Sequence, residues 1–410
     1  MQINCKRHLT DIFVVGIFSV IMALGAWNPF MSQNIENTDE IDNWLSQIGT
    51  ILFIVYLAIK QIHSKHSVSS AKWVNSLFVF AVIFIISSLI GKPSNSNWSM
   101  MLFAKLFVDI FLTILLFNFF LKDPKLINYS LIIFALSCTV ISTLFITGIL
   151  DHFIIMRNGR MIFSGENPNS TSTRIALGAV LLSFYIFINP LKWGKKRYIC
   201  ALFLLPMFLM VLASGSRGST ILMILSIVIM LLFAKYSIQS KLVSILSVIL
   251  LGTFFFYKIY SNYGEGLAIY ERFMLMAEGN DAGRTELNQY AWKIFLDSPF
   301  IGYGDSGFMH EMNVRFGETR TVHNLYLYIL ATTGILGAIP FYYFLWYILI
   351  KSLKISRKNI LPIVIIIFVL LLVGKTGGVL TYSLIWYLFA VALAEIQLYI
   401  KYSTIYNKNI

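Results

Sequence analysis

Charged side chains are scarce in this sequence, and their scarcity excludes most classes of soluble protein. Asp, Glu, Lys and Arg make up 12% of the 410 residues, about half of the fraction in typical soluble domains. So few ionised groups cannot cover the surface of a water-soluble protein of this length. Because 58% of the residues are hydrophobic, the chain is predicted to lie in a membrane. The net charge of +13 then reflects membrane topology, and nucleic acid is not expected as a partner.

Cysteine pairs and metal-ligand patterns are also missing. The three cysteines, Cys5, Cys138 and Cys200, match no C-x-x-C or Cys/His spacing, so neither a disulfide framework nor a zinc site is predicted. We expect them to be small core residues. The predicted external loops contain no Asp-x-Asp motif or His/carboxylate pair suited to a divalent metal. The sequence therefore predicts a protein that uses neither a metal nor another cofactor.

Continuous apolar runs occupy most of the chain. They do not alternate as barrel strands would, and only helices can satisfy their own backbone in lipid. The predicted fold is all-α and polytopic, with about twelve transmembrane helices. Their approximate cores are Ile12 to Trp27, Ile48 to Ile59, Val74 to Gly91, Met100 to Leu121, Leu126 to Leu150, Ile175 to Leu191, Tyr198 to Ser214, Thr220 to Ala234, Leu242 to Tyr257, Asn324 to Ile350, Ile360 to Gly374 and Val379 to Ile400.

Basic residues predict the orientation of these spans. Lys and Arg collect in alternate loops, for example at Lys6 and Arg7 before the first span, and such loops stay in the cytoplasm. Both termini are therefore predicted to be cytoplasmic. The first span has no small-residue cleavage site after it, so we expect it to be retained.

Two external loops are long, whereas the others are short. One runs from Asp151 to about Arg174. The other is a large external loop at 258–322. It separates residues 1–257, with nine predicted spans, from residues 323–410, with three predicted spans and a cytoplasmic tail. Within this loop, Glu286 to Phe295 has the apolar spacing of an amphipathic helix on a membrane surface. Function is often carried by such loops.

Arginine predominates among the external basic residues, whereas lysine predominates inside. Because basic residues are disfavoured outside, their presence there calls for a local reason. The planar guanidinium group binds phosphate or diphosphate through two hydrogen bonds, which lysine cannot do. A diphosphate ligand is one explanation, and snorkelling or pairing with nearby acids is the other. The external arginines are Arg157, Arg160, Arg174, Arg217, Arg272, Arg284, Arg315 and Arg320.

Two of these arginines stand at predicted helix starts. Arg217 follows a turn of tiny residues, Ser214-Gly215-Ser216, that exposes backbone N–H groups and favours an anion. A tight hairpin with a snorkelling arginine is the structural alternative. Arg284 follows Gly283 and opens the amphipathic segment of the large loop.

Histidine is the residue type best suited to proton transfer near neutral pH. Only His152, His310 and His323 are predicted to be external, and His323 lies where the large loop re-enters the membrane. An imidazole at that depth could meet both a lipid-linked diphosphate and a sugar hydroxyl. A lone histidine at an interface can also be a simple polar anchor.

These residues resemble the O-antigen ligase and polymerase superfamily of bacterial inner-membrane glycosyltransferases. The resemblance rests on Ser216-Arg217-Gly218, on Gly283-Arg284 with Trp292 and then Ser298-Pro299 through Gly302-Tyr303-Gly304, and on His323-Asn324-x-x-Leu327 with Gly334-Ile335-Leu336-Gly337. A looser match runs from Arg160 through Gly165 to Asn167-Pro168-Asn169. The motifs agree in order and predicted side over about residues 157–340.

The resemblance implies a metal-independent, inverting transferase of the inner membrane with its active site facing the periplasm. It implies an undecaprenyl-diphosphate-linked oligosaccharide as donor, and an acceptor glycan or lipid A-core. His323 would activate the acceptor hydroxyl, while Arg217 and Arg284 would hold the diphosphate. The remaining predicted substrate-binding residues are Arg160, Asn167, Asn169, Ser216, Gly218 and Asn324. Membrane lipid and a chain-length regulator are further expected partners.

The choice within the superfamily stays open. The Asn-Pro-Asn and His-Asn-Leu-Tyr-Leu segments favour a repeat-unit polymerase slightly over a ligase that attaches polymer to lipid A-core. A flippase or transporter for lipid-linked glycans is a third hypothesis. Intramembrane charges at Lys105, Asp109, Lys375 and Glu395 could serve it, although Lys105 and Asp109 could instead form a structural bridge.

Overall fold

The structure is a computed structural model of the chain. The residues that it describes are 2–25, 44–63, 72–91, 96–150, 154–157, 160–163, 167–188, 200–235, 237, 239, 274–275, 283–375, 380 and 382–408. The predicted ninth span, Leu242 to Tyr257, lies outside them, as does the start of the large loop.

The described residues form α-helices, a π-helix at Phe184–Ile188, a 3-10 helix at Ala201–Phe203 and one two-stranded antiparallel sheet. The helices are α1 (Gln2–Leu24), α2 (Trp44–His63), α3 (Lys72–Ile90), α4 (Ser96–Lys122), α5 (Lys125–Ile146), α6 (Pro168–Ser183), α7 (Leu204–Ala213), α8 (Arg217–Phe233), α9 (Arg284–Asp297), α10 (Gly304–Phe316), α11 (Leu325–Ile355), α12 (Leu361–Val373) and α13 (Ser383–Lys408). The strands are β1 (Ile154–Arg157) and β2 (Arg160–Phe163), which lie in the first long loop. The predicted helical fold is confirmed, and the hairpin was not predicted.

Six helical segments in the described part of the chain are long and apolar enough to cross a membrane. They are Lys72–Ile90, Leu102–Lys122, Lys125–Ile146, Pro168–Ile188, Leu325–Ile355 and Ser383–Lys401. Shorter apolar helices coincide with five further predicted spans, at His8–Leu24, Gln47–Ile62, Ala201–Ala213, Arg217–Phe233 and Leu361–Val373. The chain is thus a membrane protein, while twelve spans and the three-part division at 257 and 322 stay predictions.

The chain divides into two compact units. The first comprises Met1–Tyr56 and Asp123–Gly279, and the second comprises Leu57–Lys122 and Asn280–Ile410. Arg217 belongs to the first unit. Arg284 and His323 belong to the second.

Helix α6 is the centre of the first unit. Every residue from Thr171 to Ser183 is buried, as expected for a helix with neighbours on all sides. Gly178 permits close packing, because a Cβ there would lie 2.6 Å from the Cβ of Cys138. Cys138 itself is fully buried, so its predicted core position is confirmed. The helix begins at Pro168, directly after its N-cap residue Asn167.

Arg174 lies within α6 and serves the architecture of the first unit. Its side chain is 2% exposed, and its Nε donates to the carbonyl oxygen of Ala23 at 3.2 Å. Because the last carbonyls of a helix have no intrahelical partner, this guanidinium satisfies the end of α1. Gly25, with φ of +66°, leaves room for the same group. Arg174 therefore has a structural role, as the second of the two explanations for the external arginines expected.

Helix α11 is broken near its start, in the second unit. Gly334 has a non-helical conformation, with φ of 61° and ψ of −167°. As a result, the hydroxyl of Tyr342 donates to the carbonyl oxygen of Tyr326 at 2.6 Å. In an unbroken helix these residues would lie about 24 Å apart along the axis. The segment before Gly334 therefore folds back beside the longer segment that follows it.

The loop between α9 and α10 fills this break. Backbone bonds run from Tyr303 N to Ala331 O at 3.0 Å, from Ile335 N to Pro299 O at 2.8 Å, and from Leu336 N to Phe300 O at 3.1 Å. They pair groups that the break removes from the helix ladder. The Ser298 to Gly304 segment thus supports the residues that follow His323. Gly334 permits this close approach, whereas the sequence predicted an unbroken span from Asn324 to Ile350.

The close approach at Gly334 predicts a large loss of stability on substitution. A Cβ at Gly334 would overlap the carbonyl group of Phe300, and its positive φ of +61° is strained for any other residue. We expect Gly334→Ala to destabilise the protein by at least about 2 kcal/mol, measured by thermal unfolding in detergent. Gly317→Ala is the matched control, since Gly317 has φ of +63° but no atom within 4 Å of its Cβ position. Equal losses in the two variants would contradict the role of the loop.

The intramembrane charges predicted from α4 do not pair with each other. Asp109 is fully buried, and its carboxylate oxygens form no hydrogen bond of normal geometry in the described part of the chain, although Ser383 lies close enough to interact with them. No ion pair joins it to Lys105 among the described residues. The structural bridge that these two residues could have formed is therefore not observed.

Candidate functional site

His323 occupies the short connection between α10 and α11, directly before the cap of α11. Asn324 is the N-cap residue, and its Oδ1 accepts from Tyr326 N at 3.0 Å and from Leu327 N at 3.3 Å. The preceding residue, Val322, is fully buried. His323 is thus held between a buried anchor and a capped helix start. The predicted substrate-binding residue Asn324 has a structural role through this oxygen.

Positive charges surround His323. Its side chain is partly buried, and this burial, followed by the guanidinium groups of Arg284 and Arg320, lowers the pKa of His323 below its usual value. The imidazolium form is disfavoured because it would lie near two cations in a partly desolvated place. His323 is therefore neutral at pH 7, which is the form that can accept a proton.

Arg284 reaches this cluster from the start of α9. The helix begins after Gly283, which has a left-handed φ of 76°. Its buried face consists of Leu287, Ala291, Ile294 and Phe295, which recur at helical spacing. The predicted amphipathic helix at Glu286 to Phe295 is confirmed, and packing against α11 holds its first residue in electrostatic reach of His323.

Arg320 lies at the same end of α9. A Cβ on Gly283 would be 3.5 Å from Nη2 of Arg320, so this guanidinium stands beside the first turn of the helix. Its Nη2 also donates to Glu318 Oε2 at 2.6 Å. The pairing with Glu318 orients Arg320 without removing its influence on the pKa of His323.

Arg315 has a structural explanation instead. On α10 it pairs with Asp297 and Glu311 and lies over the ring of Tyr303. Asp297 ends α9, and Tyr303 precedes α10, so one guanidinium ties these two helices together. Arg174 and Arg315 thus hold the fold, whereas Arg284 and Arg320 lie within electrostatic reach of His323.

Arg217 is the first residue of α8, as the Gly/Ser turn predicted. Gly215 has φ of 65°, and its N–H donates to Leu212 O at 2.9 Å. The N–H of Ser216 donates to Ser214 Oγ at 3.3 Å. Because the turn uses these two donors internally, an anion would meet the first turn of α8 and the Arg217 side chain.

The start of α6 lies beside the start of α8. Ser172 Oγ donates to Ser219 Oγ at 2.8 Å, and the Thr173 Oγ1 is 3.0 Å from the same oxygen. Ser216 Oγ donates to Ser219 Oγ at 3.1 Å, and Ser216 is only 2% exposed. This buried hydroxyl cluster places two positive helix ends side by side. It also gives the Ser216 hydroxyl a structural role.

Arg160 closes this arrangement. Its Nε donates to Ser214 O at 2.9 Å, and its Nη2 donates to Asn169 Oδ1 at 3.0 Å. Asn167 is the N-cap of α6 and accepts from Asn169 N at 2.9 Å. The hairpin that carries Arg160 is thereby joined to both helix starts. The loose Asn-Pro-Asn match thus corresponds to a cap, a first-turn proline and a partner for Arg160.

The predicted site residues form two groups, one in each compact unit. In the first, Arg160, Asn169 and the turn before Arg217 are brought together, with Asn167 and Gly218 at the two helix starts. In the second, Arg284 and His323 share one electrostatic environment, with Asn324 next in sequence. Ligand binding by these residues stays a prediction.

Several residues of the two groups were not predicted from the sequence. The hydroxyls of Ser172, Thr173 and Ser219 link α6 to α8, and their only signal is a run of small polar residues within an apolar span. Arg320 was named among the external arginines but not assigned to His323. Lys375 was considered only as a charge for a transporter and not linked to Arg284, although the charge of Arg284 acts on it.

An apolar groove begins beside the turn that follows His323. It lies on α11 and α12, and its lining consists of Tyr326, Tyr342, Leu345, Trp346, Leu349 and Leu370. The Tyr326 hydroxyl donates to Leu370 O at 3.2 Å and the Tyr342 hydroxyl to Tyr326 O. Because both hydroxyls are engaged with backbone, the tyrosines present their rings to the groove.

Comparison with known protein families finds one match in this region. The family model described as O-antigen ligase matches residues 202–342. This chain therefore resembles the O-antigen ligases. The match confirms the predicted resemblance to the O-antigen ligase and polymerase superfamily, and it includes Arg217, Arg284 and His323.

Two further comparisons complete these findings. No curated protein matches the chain. A chain in a structure described as the structural coordination of polymerization and crosslinking by a peptidoglycan synthase complex is 13% identical, with a TM-score of 0.43. The similarity covers 80% of this chain and 98% of that one. The O-antigen ligase match extends across the boundary between the two compact units, at Gly279 and Asn280.

Proposed function

We propose that this chain is an inverting glycosyltransferase of the bacterial inner membrane that works on the periplasmic face. It transfers a glycan from undecaprenyl diphosphate to a sugar hydroxyl of an acceptor. The observation that carries the proposal is the position of His323, at the capped start of α11 and within electrostatic reach of Arg284, inside the region that matches the O-antigen ligases. A neutral base and a diphosphate-binding cation are the two groups that this transfer requires.

The reaction follows from these roles. The acceptor oxygen forms a bond with the anomeric carbon while the bond from that carbon to the diphosphate oxygen breaks. His323 takes the proton of the acceptor hydroxyl, and the electron pair of the broken bond goes to the diphosphate. Attack opposite the leaving group inverts the anomeric centre. Arg217 and Arg284 stabilise the negative charge that develops on the departing diphosphate.

Binding of the diphosphate also assists the base. Burial, followed by two positive charges, lowers the pKa of His323 in the protein alone, and an anion nearby compensates the two charges. The imidazole then becomes a stronger base when the donor is bound. Proton transfer is thereby favoured in the donor complex.

The apolar groove beside Tyr326 supports a lipid-linked donor. Its lining of rings and leucine side chains suits an isoprenoid chain, which gains by burying methylene and methyl groups. The charged diphosphate would remain at the His323 end. One substrate with an anionic head and an apolar tail thus fits both features.

Within this class we propose a repeat-unit polymerase, with attachment of polymer to lipid A-core as the alternative. Purified protein given only lipid-linked repeat units should produce a ladder of products that differ by one unit. A ligase would produce no ladder and would transfer glycan only after lipid A-core is added. If neither mixture yields a transfer product from wild-type protein, the glycosyltransferase proposal is wrong.

A further inference from the structure

Lys375 lies beside the turn that carries His323. It follows Gly374, the C-cap of α12, and α12 packs against α11 within the second unit. The Tyr326 hydroxyl donates to Leu370 O at 3.2 Å. A Cβ on Gly374 would be 3.6 Å from Tyr326 Cε2. The chain at Lys375 therefore passes close to the first turn of α11, which begins two residues after His323.

The position of Lys375 in the predicted topology is unusual for a lysine. Lys358 precedes α12 at the predicted cytoplasmic end, where basic residues are favoured. Lys375 stands at the opposite end, where they are disfavoured. It is partly buried rather than extended into solvent, so snorkelling does not account for it.

The charge environment links Lys375 to the same cluster. Burial, followed by the positive charge of Arg284, lowers the pKa of Lys375 to about 7. The same guanidinium acts on His323. Arg284 is thus the common neighbour of both residues, and all three belong to the second unit.

Cations gathered in a partly desolvated place repel one another, and an anion between them removes that cost. The attraction is larger than at an open surface because the local dielectric constant is lower. A diphosphate, with several negative oxygens, can contact an ammonium and a guanidinium group together. A single carboxylate or a neutral sugar would compensate this cluster less well.

We propose that Lys375 is a further diphosphate-binding residue, which contacts the donor together with Arg284 at the His323 site. This inference rests on the proposed function, since it names a residue that would hold the same donor. Lys375 supplies a compact charge to one phosphate, while Arg284 supplies a planar pair of donors. It lies beyond the region that matches the O-antigen ligases, which ends at residue 342.

The test is direct binding of undecaprenyl diphosphate to the purified full-length protein. Loss of a charged hydrogen bond should weaken binding about 10- to 100-fold in Lys375→Met. Lys375→Arg should restore most of the affinity because it keeps the charge. Lys358→Met is the matched control at the other end of α12, and it should bind as wild type does.

The outcomes separate this inference from the proposed function. If wild type binds undecaprenyl diphosphate and Lys375→Met binds it equally well, the role of Lys375 is refuted while the transferase proposal stands. If wild type does not bind it, both fail. Lys375→Gln is a second neutral variant, to be measured in the same way if Lys375→Met does not fold. Equal binding by Lys375→Gln would overturn the inference as well.

Discussion

His323→Ala is expected to lower the rate of glycan transfer about 10²- to 10⁴-fold, which is the usual contribution of a general base. The variant loses the group that removes the acceptor proton, but it keeps Arg284 at the start of α9. Binding of undecaprenyl diphosphate should therefore change little. The measurements are the rate of product formation by purified protein and surface polysaccharide in cells, with membrane insertion verified.

His310→Ala is the matched control for this variant. His310 is another histidine of the predicted external face, on α10, and it has no proposed role in the reaction. Normal transfer by His323→Ala, or an equal loss in His310→Ala, would refute the assignment of the base.

The pH dependence of glycan transfer is a second test of His323 as the base. Because the pKa of His323 is lowered in the protein without donor, its imidazole stays neutral there as the pH falls toward its usual pKa of about 6.5, and kcat/KM should decline only below that. Arg320→Gln removes one of the cations and leaves Glu318 unpaired, so the pKa of His323 should rise. The acid limb of the rate profile should then move to higher pH. An unmoved limb would mean that another group titrates.

Arg284→Ala and Arg217→Ala should each lower transfer about 10²- to 10³-fold, through lost stabilisation of the departing diphosphate. Lysine at either position should recover only part of the rate, because an ammonium group cannot form the paired hydrogen bonds of guanidinium. Transfer rate and affinity for undecaprenyl diphosphate are the two quantities to measure. Both should fall, in contrast to the expected result for His323→Ala.

A lysine on or just beyond the same helix provides a matched control for each arginine. Lys293 is an exposed cation on α9 with Arg284, and Lys235 is an exposed cation just beyond the far end of α8 from Arg217. If the positions of Arg284 and Arg217 matter, neutral substitutions at these lysines should remove one positive charge each and leave the rate of glycan transfer unchanged. Similar losses in controls and arginine variants would indicate a general electrostatic effect instead.

Much of the helical fold was predictable from composition and hydropathy. Apolar helices coincide with every predicted span that falls within the described residues, because long apolar runs can satisfy their backbone in lipid only as helices. The amphipathic helix at Arg284 was predictable from its spacing. Its buried residues, Leu287, Ala291 and Ile294, recur as the sequence indicated.

The break in α11 was not predictable in the same way. Its cause is tertiary, since Gly334 and the Ser298 to Gly304 loop approach each other across many residues of sequence. A local hydropathy pattern cannot distinguish this segment from a continuous span. If the helix continued unbroken through Gly334, Tyr342 would lie too far from Tyr326 to form their hydrogen bond.

The site residues were predictable by type but not by role. Arginine and histidine residues were predicted as site residues because the predicted topology placed them on the external side of the membrane. Side-chain partners then separated Arg174 and Arg315, which hold the fold, from Arg284, which acts on His323. Such partners depend on packing and are invisible to spacing. Ser216 and Asn324 also have structural roles through their buried or capping oxygens, which spacing did not reveal, while their predicted substrate binding stays a prediction.

The most direct test of the central claim is an experimental structure of the protein bound to undecaprenyl diphosphate. The account predicts that the diphosphate contacts the guanidinium groups of Arg284 and Arg217, with the imidazole of His323 facing the position of the acceptor hydroxyl. A diphosphate bound away from these three residues, in protein that still transfers glycan, would contradict the account.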